Sequence, residues 1–141
     1  MKVQVGDKVS FSKAVSEAEL AAFVGLSGDD YEAHTDDDFM KNTAFGQRIV
    51  HGALLVGIMS AAGTRMIRVM KARGDTTTPV ALGYDRMRFT APVFIGDTIT
   101  ASYSVTDVDP DKSRSVAALE LVNQNGATVA VANHIMKWLA P

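Results

Sequence analysis

From Gly52 to Gly63 the chain reads GALLVGIMSAAG, twelve residues without a charge, and this run limits what the rest can fold into. Small or apolar side chains on every side are the pattern of a helix buried all round. Charges return only at Arg65, Arg68, Lys71 and Arg73, and Gly74 supplies a stop, so the spacing predicts a helix from Gly52 to about Ala72. The fully apolar part is well short of the ~20 residues needed to cross a bilayer, so protein must bury it. The chain that follows reads as strands over 80–90, 97–108, 113–122 and 128–139, rich in Val, Thr, Ile, Tyr and Phe. Turn chemistry separates them at Gly96-Asp97, Asp109-Pro110-Asp111 and Asn125-Gly126. Consecutive strands joined by short turns pair antiparallel. Helices first and strands afterwards indicate an α+β fold in which an antiparallel sheet curls round one long helix.

Ahead of that helix, 8–15 alternates like a strand, and Ser16 with Glu19 has the form of a capping box. Leu20, Phe23, Val24 and Leu26 then fall at helical spacing, and Gly28 can end the helix in the left-handed conformation. Residues 27–38 form a polar loop. The 141 residues suit one domain, 1–141. Fourteen Lys and Arg against sixteen Asp and Glu leave a net charge of −2, which argues against a nucleic-acid partner or a polybasic membrane surface. There is no cysteine, which removes disulfides and thiolate chemistry and fits a reducing compartment. The first residues, MKVQVGDK, contain no apolar leader, so the expected setting is the cytoplasm.

Chemistry gathers at the junction of the polar loop and the apolar helix. Asp29 and His34 share the loop, Ile49-Val50-His51-Gly52 leads into the helix, and Ser60 lies about two turns inside it. A carboxylate and an imidazole held close can position one water and exchange its protons near neutral pH. Gly52 sits where a helix presents unpaired N–H groups at its positive end, and the missing Cβ lets a ligand oxygen come close. Such an N–H stabilises a developing oxyanion. These parts suffice to add water across a carbonyl-conjugated double bond, or to remove it. Spacing alone is equally that of a solvated loop whose Asp29 caps a helical turn near 36–42.

The combination is more specific than its pieces. Ser27-Gly28-Asp29 with His34, then Ala44-Phe45-Gly46-Gln47-Arg48-Ile49-Val50-His51-Gly52, resembles the MaoC-type dehydratases, the (R)-specific enoyl-CoA hydratases. Arg88-Phe89-Thr90-Ala91-Pro92-Val93 and Gly96-Asp97-Thr98-Ile99 are similar to that family's later strand pair, and the resemblance spans roughly 5–139. It implies a hot-dog fold, a homodimer with acyl-thioester sites at the subunit interface, and no metal or redox cofactor. Coenzyme A or phosphopantetheine would enter only as part of the substrate. By motif position, Asp29 and His34 match the catalytic pair, Gly52 the oxyanion glycine, and Ser60 a helix serine near the acyl site. His51 belongs to the same motif, most simply as a hydrogen-bonding residue at the helix entry that borders the substrate. The family's usual Asn-Pro after the catalytic Asp is replaced by Tyr31 and Glu32, so Tyr31 is expected to reshape the substrate pocket.

The implied reaction is reversible hydration of a trans-2-enoyl thioester to a (R)-3-hydroxyacyl thioester. Two alternatives stand beside it: a hot-dog acyl-CoA thioesterase, and a non-catalytic acyl-binding subunit. Three dispersed histidines have no metal-ligand spacing. Asp36-Asp37-Asp38 reads as the acidic first turn of a short helix. His134 reads as a satisfied core or interface residue, and Met59, Met66 and Met70 as core filling. The basic residues 65, 68, 71 and 73 complement the helix end, or alternatively grip coenzyme A phosphates. Tyr84, Arg86 and Arg88 are expected on one face of a strand.

Overall fold

The computed structural model describes residues 1–141. Strand β1 (Lys8–Ala14) leads into helix α1 (Glu17–Ser27), and two single-turn helices follow, α2 (Glu32–Thr35) and α3 (Asp37–Met40). The long helix α4 (Gly52–Ala72) precedes β2 (Thr78–Phe89), β3 (Thr98–Asp109), β4 (Arg114–Val122) and β5 (Thr128–Leu139). All five strands form one antiparallel sheet in the order β1-β3-β4-β5-β2.

The local signals act much as their chemistry requires. Ser16 Oγ accepts from the Glu19 amide, but the Glu19 carboxylate takes Lys13 at 2.7 Å instead of returning the bond, so only half a capping box forms. Gly28 ends α1 at φ 79°, a conformation that costs any residue with a Cβ. Asp36 caps α3 by accepting from the Phe39 amide at 3.0 Å, which frees Asp29 from that duty. The loop reading of 27–38 missed α2, a single turn specified by its contacts to distant chain.

The connection from β2 to β3 departs from simple hairpin logic. β2 pairs with β5 at one edge of the sheet, whereas β3 lies between β1 and β4. Residues 90–97 therefore cross from one side of the sheet to the other, and on the way the Val50 amide donates to the Val93 carbonyl at 2.7 Å. A bulge between Asp85 and Arg88 also breaks the alternation of β2, with Arg86 at φ 50°. Tyr84 consequently turns inward while Arg86 and Arg88 stay exposed, so the three do not share a face.

Alternation is regular in the central strands. Ile99, Ala101, Tyr103 and Val105 of β3, Ala117, Leu119 and Leu121 of β4, and Ala132, Met136 and Trp138 of β5 are buried. They share one core with Leu55, Ile58, Met59, Ala62, Met66 and Met70 of α4. Alanines on the inner face let the helix lie close to the sheet. The helix is not buried all round, however: Ala53, Gly57 and Ser60 are exposed, because the sheet of one chain covers only one side. Its 21 residues, with mean hydropathy 1.4 over the most apolar window, are long and apolar enough to cross a membrane, but here its buried side is core.

At the far end of α4 the basic residues have structural partners. Arg73 makes two bonds to Asp7 at 2.7 and 2.8 Å and holds that carboxyl below its ordinary range. Lys71 donates to the Thr77 carbonyl, and the Arg65 guanidinium lies 4.4 Å over the Phe11 ring. Only Arg68 remains exposed without a side-chain partner.

Candidate active site

The site is built where the crossing segment, the polar loop and the start of α4 meet. Gly28 turns the chain out of α1, and the Asp29 amide donates to Ser27 Oγ at 3.1 Å, setting Asp29 at the mouth of the loop. Its exposed carboxylate receives only a long bond from the Tyr31 amide, at 3.5 Å. α2 is latched at two points to Ile49: the Ile49 amide donates to the Ala33 carbonyl at 3.0 Å, and His34 Nδ1 donates to the Ile49 carbonyl at 2.7 Å. That second bond fixes the tautomer of His34 and leaves Nε2 as its free nitrogen. Ile49 itself bridges to Phe94, so the histidine is referred to the crossing segment.

Beneath the loop lies His51, only 1% exposed. Its ring stacks on His34 with centroids 3.8 Å apart and an interplanar angle of 26°, and the Phe23 ring packs against it at 4.7 Å, tilted by 54°. His51 Nε2 donates to the Asp29 main-chain carbonyl at 2.9 Å, while Nδ1 is buried without a partner. One residue thus touches both Asp29 and His34. The donor atoms of Asp29, His34 and His51 all lie within 4.8 Å of one another. They do not fit a metal ion. A ligated ion lies in the plane of each imidazole, and two nearly parallel stacked planes share no nearby point.

His34 opens onto a cavity of about 360 Å³ lined also by Phe45, Ile49, Gly52, Leu55, Phe89 and Pro92. Gly52 begins α4, so its N–H has no carbonyl one turn back within the helix and sits at the positive end of 21 residues of aligned dipoles. A Cβ on Gly52 would lie 2.5 Å from the Phe89 ring, so close packing as well as ligand approach demands glycine here. The cavity therefore has an imidazole and a helix N-terminus in its wall, and the Asp29 carboxylate lies within 4.8 Å of that imidazole. That is the equipment for moving a proton beside a polarised carbonyl.

The other expected residues are placed differently. Tyr31 stands 55% exposed, its ring edge-on to His34 at 5.9 Å and close to Phe39 at 6.2 Å, and its hydroxyl makes no hydrogen bond within the chain. Ser60 is not brought to Asp29 and His34; it lies beside the Tyr84 hydroxyl, whose pKa burial pushes up against the opposing effect of Ser60. His51, expected at the substrate, is buried and is not among the residues that line this cavity. Sequence reasoning missed Phe23 as a ring packed against His51, and it missed the Ile49 carbonyl as the orienter of His34. A main-chain acceptor leaves no signal in side-chain patterns.

A second buried polar group lies under the middle of α4. Tyr103 Oη and His134 Nδ1 are 2.9 Å apart, Tyr84 stacks on His134 at 4.7 Å, and His134 Nε2 has no partner. His134 is thus half-satisfied, and burial holds its pKa below the ordinary value.

A five-stranded antiparallel sheet curled round one long helix, with the polar cluster at the helix N-terminus, defines a hot-dog domain of the acyl-thioester type. The chain belongs to the MaoC-like dehydratase family, whose MaoC like domain matches residues 2–126. It is 35% identical to the (R)-specific enoyl-CoA hydratase of Rhodospirillum rubrum, over 92% of this chain and 88% of that protein. It is 33% identical to the (R)-specific enoyl-CoA hydratase of Aeromonas caviae, over 96% and 95%. Among solved structures, the (R)-hydratase from A. caviae involved in PHA biosynthesis superimposes with a TM-score of 0.82 at 33% identity, covering 99% of this chain and 98% of that one.

Proposed function

We propose that this chain is a hydro-lyase that reversibly hydrates a trans-2-enoyl-CoA to the (R)-3-hydroxyacyl-CoA. The observation that carries the reading is that His34 and the N-terminus of α4 line one cavity, with an Asp29 carboxylate oxygen within 4.8 Å of a His34 ring nitrogen. Family membership, with relatives named as (R)-specific enoyl-CoA hydratases, supplies the reaction class.

In the hydration direction, Asp29 and His34 hold one water over the β-carbon. Its O–H bond breaks, the oxygen bonds to the β-carbon, and the released proton is lodged on the Asp29–His34 pair. The double-bond electrons shift towards the thioester oxygen, whose growing charge the Gly52 N–H meets. The pair then returns a proton to the α-carbon, so one water is consumed and nothing else. Dehydration is the same path reversed. His34 Nδ1 stays committed to Ile49 throughout, so only Nε2 exchanges protons.

No acidic residue lies anywhere on α4, which removes the helix carboxylate that the thioesterase alternative would need. The substrate enters with its own coenzyme A or phosphopantetheine, and the reading calls for no other cofactor. A homodimer belongs to the reading as well. Strand β2 leaves one edge unpaired with Val80, Leu82 and Phe89 exposed along it, and the uncovered side of α4 lies beside it. The lack of cysteine fits a cytoplasmic setting.

The test is hydration of a panel of enoyl-CoA thioesters, short, long, branched and dicarboxylic, followed by loss of the conjugated absorbance. Asp29→Asn keeps the shape and removes the base, so turnover is expected to fall on the order of 10²–10⁴-fold with the fold retained. Near-wild-type turnover in that variant would overturn the role of Asp29.

A further inference from the structure

His51 is not among the residues that line the cavity, yet it bonds to the Asp29 main chain and stacks face-on against His34, the two partners of the proposed reaction. We propose that His51 is a positioning residue with two functions: it anchors Asp29 through the main chain, and it lies face-on under His34 as an uncharged ring that steadies the imidazolium form. The proposal rests on His34 being the proton carrier of the hydratase reading.

Three observations carry it. The bond from His51 Nε2 goes to a carbonyl, which can only accept, so Nε2 bears the hydrogen. Nδ1 faces no acceptor and is buried, so a second hydrogen there would be an unpaired donor in the core. The ring presented to His34 at 3.8 Å is therefore the neutral one, and its π face is electron-rich towards a cation above it. Phe23 of α1 packs against the His51 ring at 4.7 Å.

The groups facing this pair are few. The loop contributes the Asp29 carboxylate and the edge of the Tyr31 ring, α1 contributes Phe23 with Glu19 one turn before it and paired to Lys13, and the segment after β2 contributes apolar cavity wall. Arg48, the nearest cation in the sequence, is drawn away from the stack by Asp37 at 2.8 Å and Glu17 at 2.5 Å. No cationic side chain lines the cavity, so the groups that bear on a positive charge at His34 are the Ile49 carbonyl on Nδ1, the Asp29 carboxylate and the ring beneath.

Two substitutions separate the functions. His51→Phe keeps an aromatic face and loses the donor, whereas His51→Gln keeps a donor and loses the face. With histidine-labelled protein, the His34 ring signal is followed by NMR through a pH titration in the absence of substrate. The Gln variant is expected to move the His34 midpoint to lower pH, while the Phe variant leaves it near the wild-type position. The Asp30 amide, in the peptide group that carries the Asp29 carbonyl, is expected to shift in the Phe variant and not in the Gln variant. If glutamine is not accommodated, His51→Asn repeats the measurement. A wild-type midpoint in the folded Gln or Asn variant would overturn the face-on function, and an unmoved Asp30 amide in the Phe variant would overturn the anchor. Both readouts are independent of turnover, so an inactive wild-type protein would count against the hydratase reading and leave this result separate.

Discussion

At the scale of single residues, hydrogen-bond commitments decide which groups are free to react. His34 gives Nδ1 to a main-chain carbonyl and keeps Nε2, while Asp29 keeps nearly its whole carboxylate. Tyr31 commits nothing through its hydroxyl and meets His34 and Phe39 only with its ring. Tyr31→Phe is therefore expected to leave hydration turnover within about twofold of wild type, as for other surface changes that break no bond; a steady-state comparison on the preferred thioester checks it. His134 gives a prediction about pH. Burial lowers its folded pKa below 6.5, so between that folded value and 6.5 the unfolded chain binds more protons than the folded one. The stability it contributes is present above pH ~6.5 and is lost as the pH falls below it. Thermal unfolding between pH 5 and 8 is expected to show this decline, and His134→Gln to flatten it.

At the scale of elements, α4 has two jobs that pull its sequence in different directions. Its inner side must fill the sheet, which Leu55, Met59, Met66 and Met70 do with 2% exposure or less. Its N-terminus must stay unobstructed, and there Gly52 meets the Phe89 ring of β2. Alanine is a better helix former than glycine, so propensity alone would favour Gly52→Ala. The structure predicts the opposite for activity. The added Cβ must displace Phe89 within the cavity, and a misplacement of about an ångström can cost on the order of 100-fold in turnover. The double variant Gly52→Ala/Phe89→Ala removes the obstructing ring and is expected to recover part of that loss. Equal turnover in the single and double variants would show that the Phe89 contact is irrelevant to the site.

For the whole molecule, the sheet ends on both sides in unpaired strands, but the two edges differ. β1 alternates polar and apolar, whereas β2 exposes Leu82 at 49% and Phe89 at 52% beside the uncovered side of α4. An exposed edge with apolar side chains favours pairing with a second copy. Leu82→Glu puts a charge on that edge and is expected to lower the mass measured by sedimentation towards that of a single 15.1 kDa chain. Unchanged assembly in that variant would place the interface elsewhere.

Much of this was legible in the sequence, and for local reasons. The apolar run from Gly52, the stop at Gly28, and the turns at Asn125-Gly126 and Asp109-Pro110-Asp111 all depend on neighbours a few residues apart, whereas the grouping of Asp29 and His34 with Gly52 was legible only through the family resemblance. Elements α4 and β5 consequently have the predicted bounds, and the other strands begin and end within two residues of them. What only the tertiary structure decided depends on contacts between distant segments. The crossing of residues 90–97 that puts β2 at the edge, the bulge that turns Arg86 away from Tyr84, and the stack of His34, His51 and Phe23 have no period or motif to announce them. The same holds for Ser60, which two helical turns carry to Tyr84 and away from Asp29 and His34, and for His51, which a sequence motif places at the site but packing alone removes from the cavity. Propensity and pattern act through the nearest few residues, whereas a ring buried between two others is positioned by the whole fold.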